Sequence, residues 1–403
     1  MRIKSTLNIL ITFPIAHYIS GWKPITKTSH ILTFLFTDSN VIGIGEGTPY
    51  WSSIAEDFVK ITKLTDVIQR LSLEEALDVL KLREFNEFER NVRIIYGAYL
   101  ALEGAILSAL SQYKRVKYEA ELMGGIYRTE VPITHTIFLN NPKMMARKLE
   151  EAIKLNIKHI KFKIPCNLDE LKKLLEIFYF KKKQCAIEDI VLRADANECF
   201  PTFEKAKKAL LIIEKYDVNI VEQPLPRDKL KDIAKLRKEF YPVLEIMLDE
   251  SLRKPSDIEL FAQIEAADAI NFHPSKLGCL TITREAILKA QRLGMKANIG
   301  SALMTEIGLF HYLNLAASIP RLDYPLEEPG LCNMYGYSIV QEPPTITNGY
   351  IKLFNIDVVD LDFNMIKKFL MRSLFKERLL GEVSEIYVRF KKIYSQRYSG
   401  GPH

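Results

Sequence analysis

The chain has 403 residues, of which 48% are hydrophobic and 26% charged, a composition typical of a folded globular protein and unlike that of a disordered or multiply membrane-spanning chain. Its five cysteines form no CxxC pair, so a disulfide framework and a zinc site are not expected and the thiols are predicted to be reduced. The formal net charge of +6 equals the excess of nine Lys or Arg over three Glu in residues 364–403, so the remaining chain is close to neutral and indicates no nucleic-acid partner.

Residues 1–128 are predicted to form an α+β module of their own. The runs NILITFPIA, HILTFLF and VIGIGEG have two-residue alternation and predict a hairpin or small meander. Residues 53–120 instead show apolar positions at intervals of three and four, as in GAYLALEGAILSALSQY, and predict helices. The beginning resembles a signal peptide, but Pro14 and His17 interrupt the apolar stretch, so a first β-strand and a cytoplasmic protein are expected.

Residues 129–340 alternate between short apolar runs and helical stretches. HIKFKI, IVLRADAN and EIMLDES are such runs, and segments such as ELKKLLEIF and FEKAKKALLIIEKY lie between them. Repeated βα units form a parallel sheet, because parallel neighbours need a crossover connection. The fold class expected here is therefore α/β.

A polar residue stands near the end of nearly every run. Lys163, Asp195, Glu222, Asp249 and His273 follow one another at intervals of 32, 27, 27 and 24 residues. An open sheet gathers its functional residues at one switch point, whereas a closed barrel collects them from the ends of its strands. This spacing favours a barrel.

Three of these residues, Asp195, Glu222 and Asp249, are carboxylates that would converge at the mouth of the barrel. An all-oxygen ligand set suits a hard cation such as Mg²⁺ or Mn²⁺ better than zinc. A single Asp could instead cap the helix that follows it, but three carboxylates in phase favour a metal site. No nucleotide cofactor is expected, because GIGEG lacks the spacing of a dinucleotide-binding loop.

Lys161 and Lys163 lie in the run IKFK and share one strand face, so both are expected to point into the barrel. Burial beside a cation lowers the pKa of an ammonium group and would make such a lysine a usable general base. The alternative is a pair of surface lysines on an edge strand, and a closed barrel has no edge.

The C-terminal part of the chain divides into two segments. Residues 341–363 contain the apolar pieces YIKLF and VVDLDF and are predicted to return to the N-terminal module. Residues 364–403 are basic and helical in period, with Phe, Leu and Ile interleaved among the cations. We expect an amphipathic helix that packs on the protein's own surface or on a neighbouring subunit.

Considered together, KFK, DAN, EQPLP, LDES and NFHPSKLG resemble the muconate lactonizing enzyme-like subgroup of the enolase superfamily, which is related to mandelate racemase. GIGEGTPYW resembles the motif of that family's capping domain, and the resemblance covers nearly the whole chain apart from residues 364–403. It implies a modified TIM barrel, (β/α)7β, under an N-terminal α+β capping domain.

The resemblance also implies a role for each candidate residue. In that family Mg²⁺ binds the substrate carboxylate and stabilises an enolate, while a lysine of the second barrel strand moves the proton. Carried over, the metal ligands are Asp195, Glu222 and Asp249, the acid/base is Lys163, and Lys161 steadies the substrate carboxylate. A homo-oligomer that acts on a small carboxylate, with neither nucleic-acid nor membrane partners, is expected.

The sixth barrel strand departs from the family. Where the family has a lysine in an NIK sequence, this chain has Asn271, Phe272 and His273. Asn271 and His273 share one strand face, so His273 is expected to stand opposite Lys163, either as a second acid/base or as a filler of the space left by the lysine. Lys276 is an alternative partner.

The seventh strand departs too, since ALMTE places Met304 where related enzymes often carry Glu, with Glu306 two residues on. These changes leave the metal site intact but keep several reactions open. An isomerase, either a cycloisomerase or an epimerase or racemase, is the principal hypothesis. The alternatives are a lyase, either succinylbenzoate-synthase-like or an acid-sugar dehydratase, and a catalytically reduced homologue that binds a partner through its tail. Selectivity is expected to come from the N-terminal module, including the loop at residues 17–22, and from the loops of the barrel.

Overall fold

The computed structural model describes residues 1–20, 23–49, 53–89, 96–185, 189–327 and 330–370. The predicted amphipathic helix beyond residue 370 and the side chains of the 17–22 loop lie outside this part of the chain. The five cysteines lie within it and are free thiols.

The N-terminal module is a three-stranded antiparallel sheet with helices on one face. Its strands run in the order β1-β2-β3. They are β1 (Ile3–Ser20), β2 (Lys23–Thr37) and β3 (Ile42–Gly47), followed by the helices α1 (Ile54–Ile68), α2 (Leu73–Glu89) and α3 (Tyr96–Lys114). The predicted meander and helical run are therefore both present.

The glycines of GIGEG serve the packing of this module. Gly43, Gly45 and Gly47 share one face of β3, and a Cβ on any of them would lie 1.9–2.1 Å from a backbone oxygen of α3. Only a strand face without side chains allows a helix to approach so closely. The motif is thus explained by contact between a strand and a helix.

Replacing Gly45 by Ala is expected to lower the free energy of unfolding by about 2 to 3 kcal/mol, because the new methyl group meets the backbone of Ala101 and not a movable side chain. Denaturant unfolding of the purified protein measures this change. Ser39→Ala, at the exposed turn between β2 and β3, is the matched control and should change stability by less than about 0.5 kcal/mol. Equal stability of the two variants would contradict the close packing.

The second module is a parallel barrel. Its strands are hydrogen-bonded in the order β10-β9-β8-β7-β6-β5-β4-β11, and β10 contacts β11 at the other end of this series, which closes the sheet. The strands are β4 (Glu130–Ile137), β5 (His159–Lys163), β6 (Val191–Asp195), β7 (Ile220–Glu222), β8 (Glu245–Leu248), β9 (Ala269–Phe272), β10 (Lys296–Ile299) and β11 (Leu326–Glu327).

Helices connect successive barrel strands, which gives seven βα units and a final strand and confirms the predicted α/β barrel. They are α4 (Pro142–Lys154), α5 (Leu168–Gln184), α6 (Phe203–Ile213), α7 (Leu230–Phe240), α8 (Asp257–Gln263), α9 (Pro274–Leu277), α10 (Leu280–Arg292) and α11 (Glu306–Ser318). Among the described residues, no helix is both long and apolar enough to cross a membrane.

The segment after the barrel divides between the two modules. It contains α12 (Gly330–Tyr335), β12 (Tyr350–Lys352) and α13 (Phe363–Phe369). YIKLF does not return to the N-terminal module as expected, because its residues form β12 and pair with the start of β4. In contrast, Val358, Leu361 and Phe363 pack in one cluster with side chains of β1 and β2. Hydrophobic burial thus ties the end of the described chain to the first sheet.

Buried polar contacts hold the N-terminal module over the barrel. The carboxylate of Glu46 on β3 accepts hydrogen bonds from the backbone N–H groups of Thr305 and Gly308, at 3.0 and 2.8 Å, where α11 begins. His30 on β2 lies 2.8 Å from the same carboxylate. Because a buried carboxylate that loses its donors is costly, these contacts fix β2 and β3 above the carboxyl ends of the barrel strands.

Candidate active site

The predicted site residues meet at the carboxyl ends of the barrel strands. The register pairs Lys163 with Asp195, and Asp195 with Glu222, on the neighbouring strands β5, β6 and β7. Asp249 follows β8 and His273 follows β9. All five side chains are buried. The regular succession of these residues in the sequence therefore corresponds to the ends of successive strands.

Lys161 is the most highly connected cation of the site. Its Nζ lies 2.9 Å from oxygens of both Asp195 and Glu222 and 2.8 Å from Glu327. Burial lowers the pKa of Lys161, but the three carboxylates outweigh burial and raise it well above its usual value. The depression of the pKa expected for a lysine beside a bound cation concerns the site with its metal and stays a prediction. Lys163 is placed differently, since its Nζ donates to Asp195 alone among these acids, at 2.6 Å.

A second group forms around Asp249. Lys276 Nζ donates to the backbone carbonyl of Asp249 at 2.7 Å and also to its carboxylate. His273 Nε2 lies 3.2 Å from Asp249 Oδ1. Burial lowers the pKa of His273 and Asp249 opposes this change only partly, so the imidazole is neutral near pH 7. Lys276, the alternative partner named from the sequence, is thus bonded to Asp249.

Reasoning from the sequence missed three charged residues of the site. Arg193 lies on β6 with the same parity as Asp195, and its guanidinium contacts Glu222 and Glu327. Glu250 follows Asp249 and accepts a hydrogen bond from the amide of Asn197 at 3.0 Å. Two of them could have been found in the sequence: Arg193 from its shared strand face with Asp195, and Glu250 from its place in the LDES motif. Glu327 had none, because β11 is only two residues long.

The buried cluster contains more acids than strong bases. Its carboxylates are Asp195, Glu222, Asp249, Glu250 and Glu327, and its cations are Lys161, Lys163, Arg193 and Lys276. With every carboxylate ionised and His273 neutral, the five acids would exceed the four cations by one charge. Burial and the charge of Asp195 raise the pKa of Glu222 to about 7. Burial, with the charges of Asp249 and Asp195, raises the pKa of Glu250 to about 8. Both shifts are what an excess of negative charge produces.

A cavity of about 390 Å³ opens above this cluster, between the barrel and the N-terminal module. This volume suits a small molecule. Met304 is buried and Glu306 accepts a hydrogen bond from Ile339 N, so neither of these residues from the seventh-strand region lines the cavity. The lining comes from both modules and comprises Lys27, Thr28, Ser29, Thr48, Pro49, Ile54, Thr136, Phe138, Lys161, Lys163, Asp249, His273, Ser301, Ala302, Leu303 and Glu327.

A closed parallel barrel with buried carboxylates and lysines at its strand ends, beneath an α+β cap, defines a barrel enzyme with an acid–base site. Residues 144–355 match the model of the enolase C-terminal domain-like family. Because this match spans more than half of the 403 residues, the chain belongs to that family.

Three similar proteins illustrate the relationship. The N-succinyl-L-Arg/Lys racemase of Bacillus cereus is 23% identical over 76% of this chain and 82% of its own length. The chloromuconate cycloisomerase of Pseudomonas putida is 23% identical over 92% of this chain and 99% of its own length. The crystal structure of a dipeptide epimerase from Enterococcus faecalis, complexed with Mg and L-Leu-L-Tyr, has a TM-score of 0.77 at 20% identity and covers 90% of this chain and 100% of the epimerase.

These similarities confirm the resemblance inferred from the sequence. The relatives are a racemase, a cycloisomerase and an epimerase, and the prediction of an enolase-superfamily enzyme of the isomerase type is confirmed at this level.

Proposed function

We propose that the protein is a racemase or epimerase that exchanges the proton on the carbon next to a substrate carboxylate. The observation that carries this proposal is the placement of Lys163 and His273. Among the parallel strands β4 to β11, β5 and β9 are four positions apart in hydrogen-bonding order. In a closed barrel of eight strands such positions are opposite walls, and both side chains line the same cavity. Two proton-transferring groups on opposite walls can serve both faces of one carbon.

We also propose that Asp195, Glu222 and Asp249 hold a divalent cation, Mg²⁺ or Mn²⁺. Divalent-metal dependence is a property of the enolase superfamily, and oxygen donors suit these ions. In the described part of the chain Glu222 Oε2 is buried and accepts no hydrogen bond, and its nearest cation is the Nε of Arg193 at 3.3 Å. With all five carboxylates ionised the cluster would carry one excess negative charge, and a monoanionic substrate would add a second. A divalent cation neutralises both charges.

The ammonium group of Lys161 lies between Asp195 and Glu222, in the space where the proposed cation would bind. No three His, Cys, Asp or Glu side chains of the described residues already stand as a ligand set, since the Lys161 ammonium contacts Asp195 and Glu222 directly. The carboxylates therefore fit a cation once Lys161 turns toward the substrate carboxylate, which is the partner proposed for it. The chemistry that a divalent cation supplies there is stabilisation of the negative charge that develops on the carboxylate during proton removal.

The residues of the chain divide the remaining work. Lys161 orients the substrate carboxylate at the floor of the cavity. Neutral His273 takes the proton from one stereoisomer, and Lys163, which donates to Asp195 in the ammonium form, returns a proton to the opposite face. The reverse assignment of donor and acceptor serves the other stereoisomer. The cap residues above exclude water from the reacting carbon.

A cycloisomerase is the second candidate, and one observation favours it. His273 lies 3.2 Å from Asp249, and a histidine held in this contact fills the space of a lysine without moving a proton. Lys163 alone would then suffice, as in a reaction that needs one acid/base. The lyase and binding-protein alternatives have no observation of their own in their favour. The homo-oligomer and the cytoplasmic location stay predictions.

Deuterium uptake is the test of the proposed function. Incubation of the protein with Mg²⁺ in D₂O and a library of chiral carboxylates, including N-acylamino acids and dipeptides, is expected to replace the α-proton of at least one compound and to invert its configuration. Mass spectrometry and chiral chromatography read the two changes. EDTA should abolish exchange, and Mn²⁺ or Mg²⁺ should restore it. Undiminished exchange in EDTA would contradict the metal site, and cyclisation without inversion would favour the second candidate.

A further inference from the structure

His273 and Gly300 are neighbours on the inner face of the barrel. β9 and β10 pair in register, with Asn271 beside Asn298. Gly300 N then donates to the carbonyl of Phe272 at 2.8 Å, so the pairing continues past the end of β10. Because alternate residues share a strand face, the layer above the two asparagines places His273 beside Gly300. The position next to the imidazole therefore carries no side chain.

The imidazole of His273 occupies the space that a side chain at residue 300 would fill. A Cβ on Gly300 would lie 2.4 Å from His273 Nε2 and 2.5 Å from its Cε1. It would also lie 2.5 Å from Asn271 Oδ1. Non-bonded atoms pack at about 3.5 Å or more, so an alanine at residue 300 and the present position of the ring exclude each other.

The ring of His273, and not the amide of Asn271, is the group that can give way. Asn271 Nδ2 donates to Glu222 at 3.0 Å, and Asn271 Oδ1 lies 2.7 Å from the amide of Asn298. Asn271 is thus held on both sides. His273 lines the cavity, so its ring can turn about the Cα–Cβ bond into that space. A methyl group at residue 300 is therefore expected to displace the imidazole.

We propose that Gly300 is a positioning residue, which leaves the room that the imidazole of His273 needs to stand opposite Lys163. This inference rests on the proposed function, in which His273 serves one face of the α-carbon. A lysine is a narrow, flexible chain, whereas an imidazole is a broad ring held near the backbone and needs space beside it. Gly300 thus explains how a histidine occupies the place where the family has a lysine.

The rates of α-proton exchange test this role. Gly300→Ala should lower exchange from the stereoisomer that His273 serves by about tenfold to a hundredfold, because a displacement of about 1 Å is enough for such a loss. Exchange from the mirror partner, which Lys163 serves, should be nearly unchanged. In a His273→Asn background, Gly300→Ala should not alter the ratio of the two rates further, because residues that act through one another are not additive. A glycine with a merely structural role would lower both rates together.

Gly104→Ala is the matched control. A Cβ on Gly104 would lie 2.7 Å from Nε2 of His311, a buried histidine that does not line the cavity. The steric conflict is of the same kind, so both variants should lose stability, while the ratio of the exchange rates should change in Gly300→Ala only. If Gly300→Ala does not fold, His273→Asn should restore folding, because asparagine lacks the ring edge of Nε2 and Cε1 that meets the new methyl group. Failure of this rescue overturns the proposal.

The position of the ring can also be measured without a substrate. With ¹³C at Cε1 of the seven histidines, the NMR signal that disappears in His273→Asn belongs to His273, and Gly300→Ala should shift this signal more than the others. An unshifted signal overturns the role of Gly300, and exchange with inversion by the unchanged protein would still support the proposed function. A shifted signal with one-sided loss of exchange supports the role of Gly300. A shifted signal without one-sided loss overturns that role where His273→Asn is selective; where His273→Asn is not selective either, the placement of the ring by Gly300 is supported and the proposed function alone fails.

Discussion

Asp249→Asn is expected to lower kcat/KM for α-proton exchange by about a thousandfold or more, because a ligand to a charge-stabilising cation contributes several kcal/mol to the transition state. Asp195→Asn and Glu222→Gln should have effects of the same order. Asp249→Asn should disturb the surrounding structure least, because Lys276 Nζ keeps its hydrogen bond to the backbone carbonyl of residue 249. Calorimetric titration with Mg²⁺ should show weakened metal binding alongside the loss of turnover.

The control for these variants lies on the same strand. Glu245 begins β8 at the opposite end from Asp249 and contacts Lys296 and the hydroxyl group of Tyr324. Glu245→Gln should therefore leave Mg²⁺ affinity and exchange within about twofold of the unchanged protein, with a stability loss of about 1 kcal/mol from the weakened contacts. Circular dichroism and thermal unfolding check that each variant is folded. A folded Asp249→Asn protein with full activity would refute the ligand assignment.

The barrel and the strand ends could be predicted because both depend on local patterns. Each βα unit repeats the same pattern, a short apolar run followed by apolar residues at helical spacing. A polar residue at the end of such a run can be recognised without knowledge of the packing. The observed register explains the success, since Lys163, Asp195 and Glu222 are direct neighbours across β5, β6 and β7. Side-chain parity likewise placed Lys161 and Lys163 on the inner face.

The direction of the pKa shift at Lys161 could not be predicted in the same way. It depends on how many carboxylates surround one ammonium, and those carboxylates come from β6, β7 and β11. Glu327 is one of the three carboxylates that raise the pKa of Lys161. It lies on a strand of only two residues, which is too short to show a periodic pattern in the sequence. Long-range pairing of β11 with β4 brings it into the site.

The position of the cap depends on contacts equally remote in sequence. Glu46 reaches the start of α11, which is about 260 residues further along the chain. A local sequence pattern cannot predict a contact between residues so far apart in the chain. Electrostatics that depend on the assembled fold were thus the part that the sequence did not reveal.

The two candidate reactions predict different behaviour for a change at His273. In a racemase or epimerase, Lys163 and His273 each exchange the proton on their own face of the α-carbon. Removal of one group should then abolish exchange from one stereoisomer and spare the other. In a cycloisomerase that relies on Lys163, the same change should affect packing around Asp249 and leave the stereochemistry of exchange unaltered.

His273→Asn is therefore expected to reduce α-proton exchange from one stereoisomer by about a hundredfold to ten-thousandfold, the usual contribution of a general base, while exchange from its mirror partner persists. Lys163→Met should produce the opposite selectivity. His135→Asn is the matched control: His135 lies on β4 beside Thr136, which lines the cavity, and its own side chain does not. NMR of each stereoisomer in D₂O measures the rates separately. If His273→Asn slows both stereoisomers equally, or neither, His273 is a packing residue and the one-base cycloisomerase becomes the better assignment.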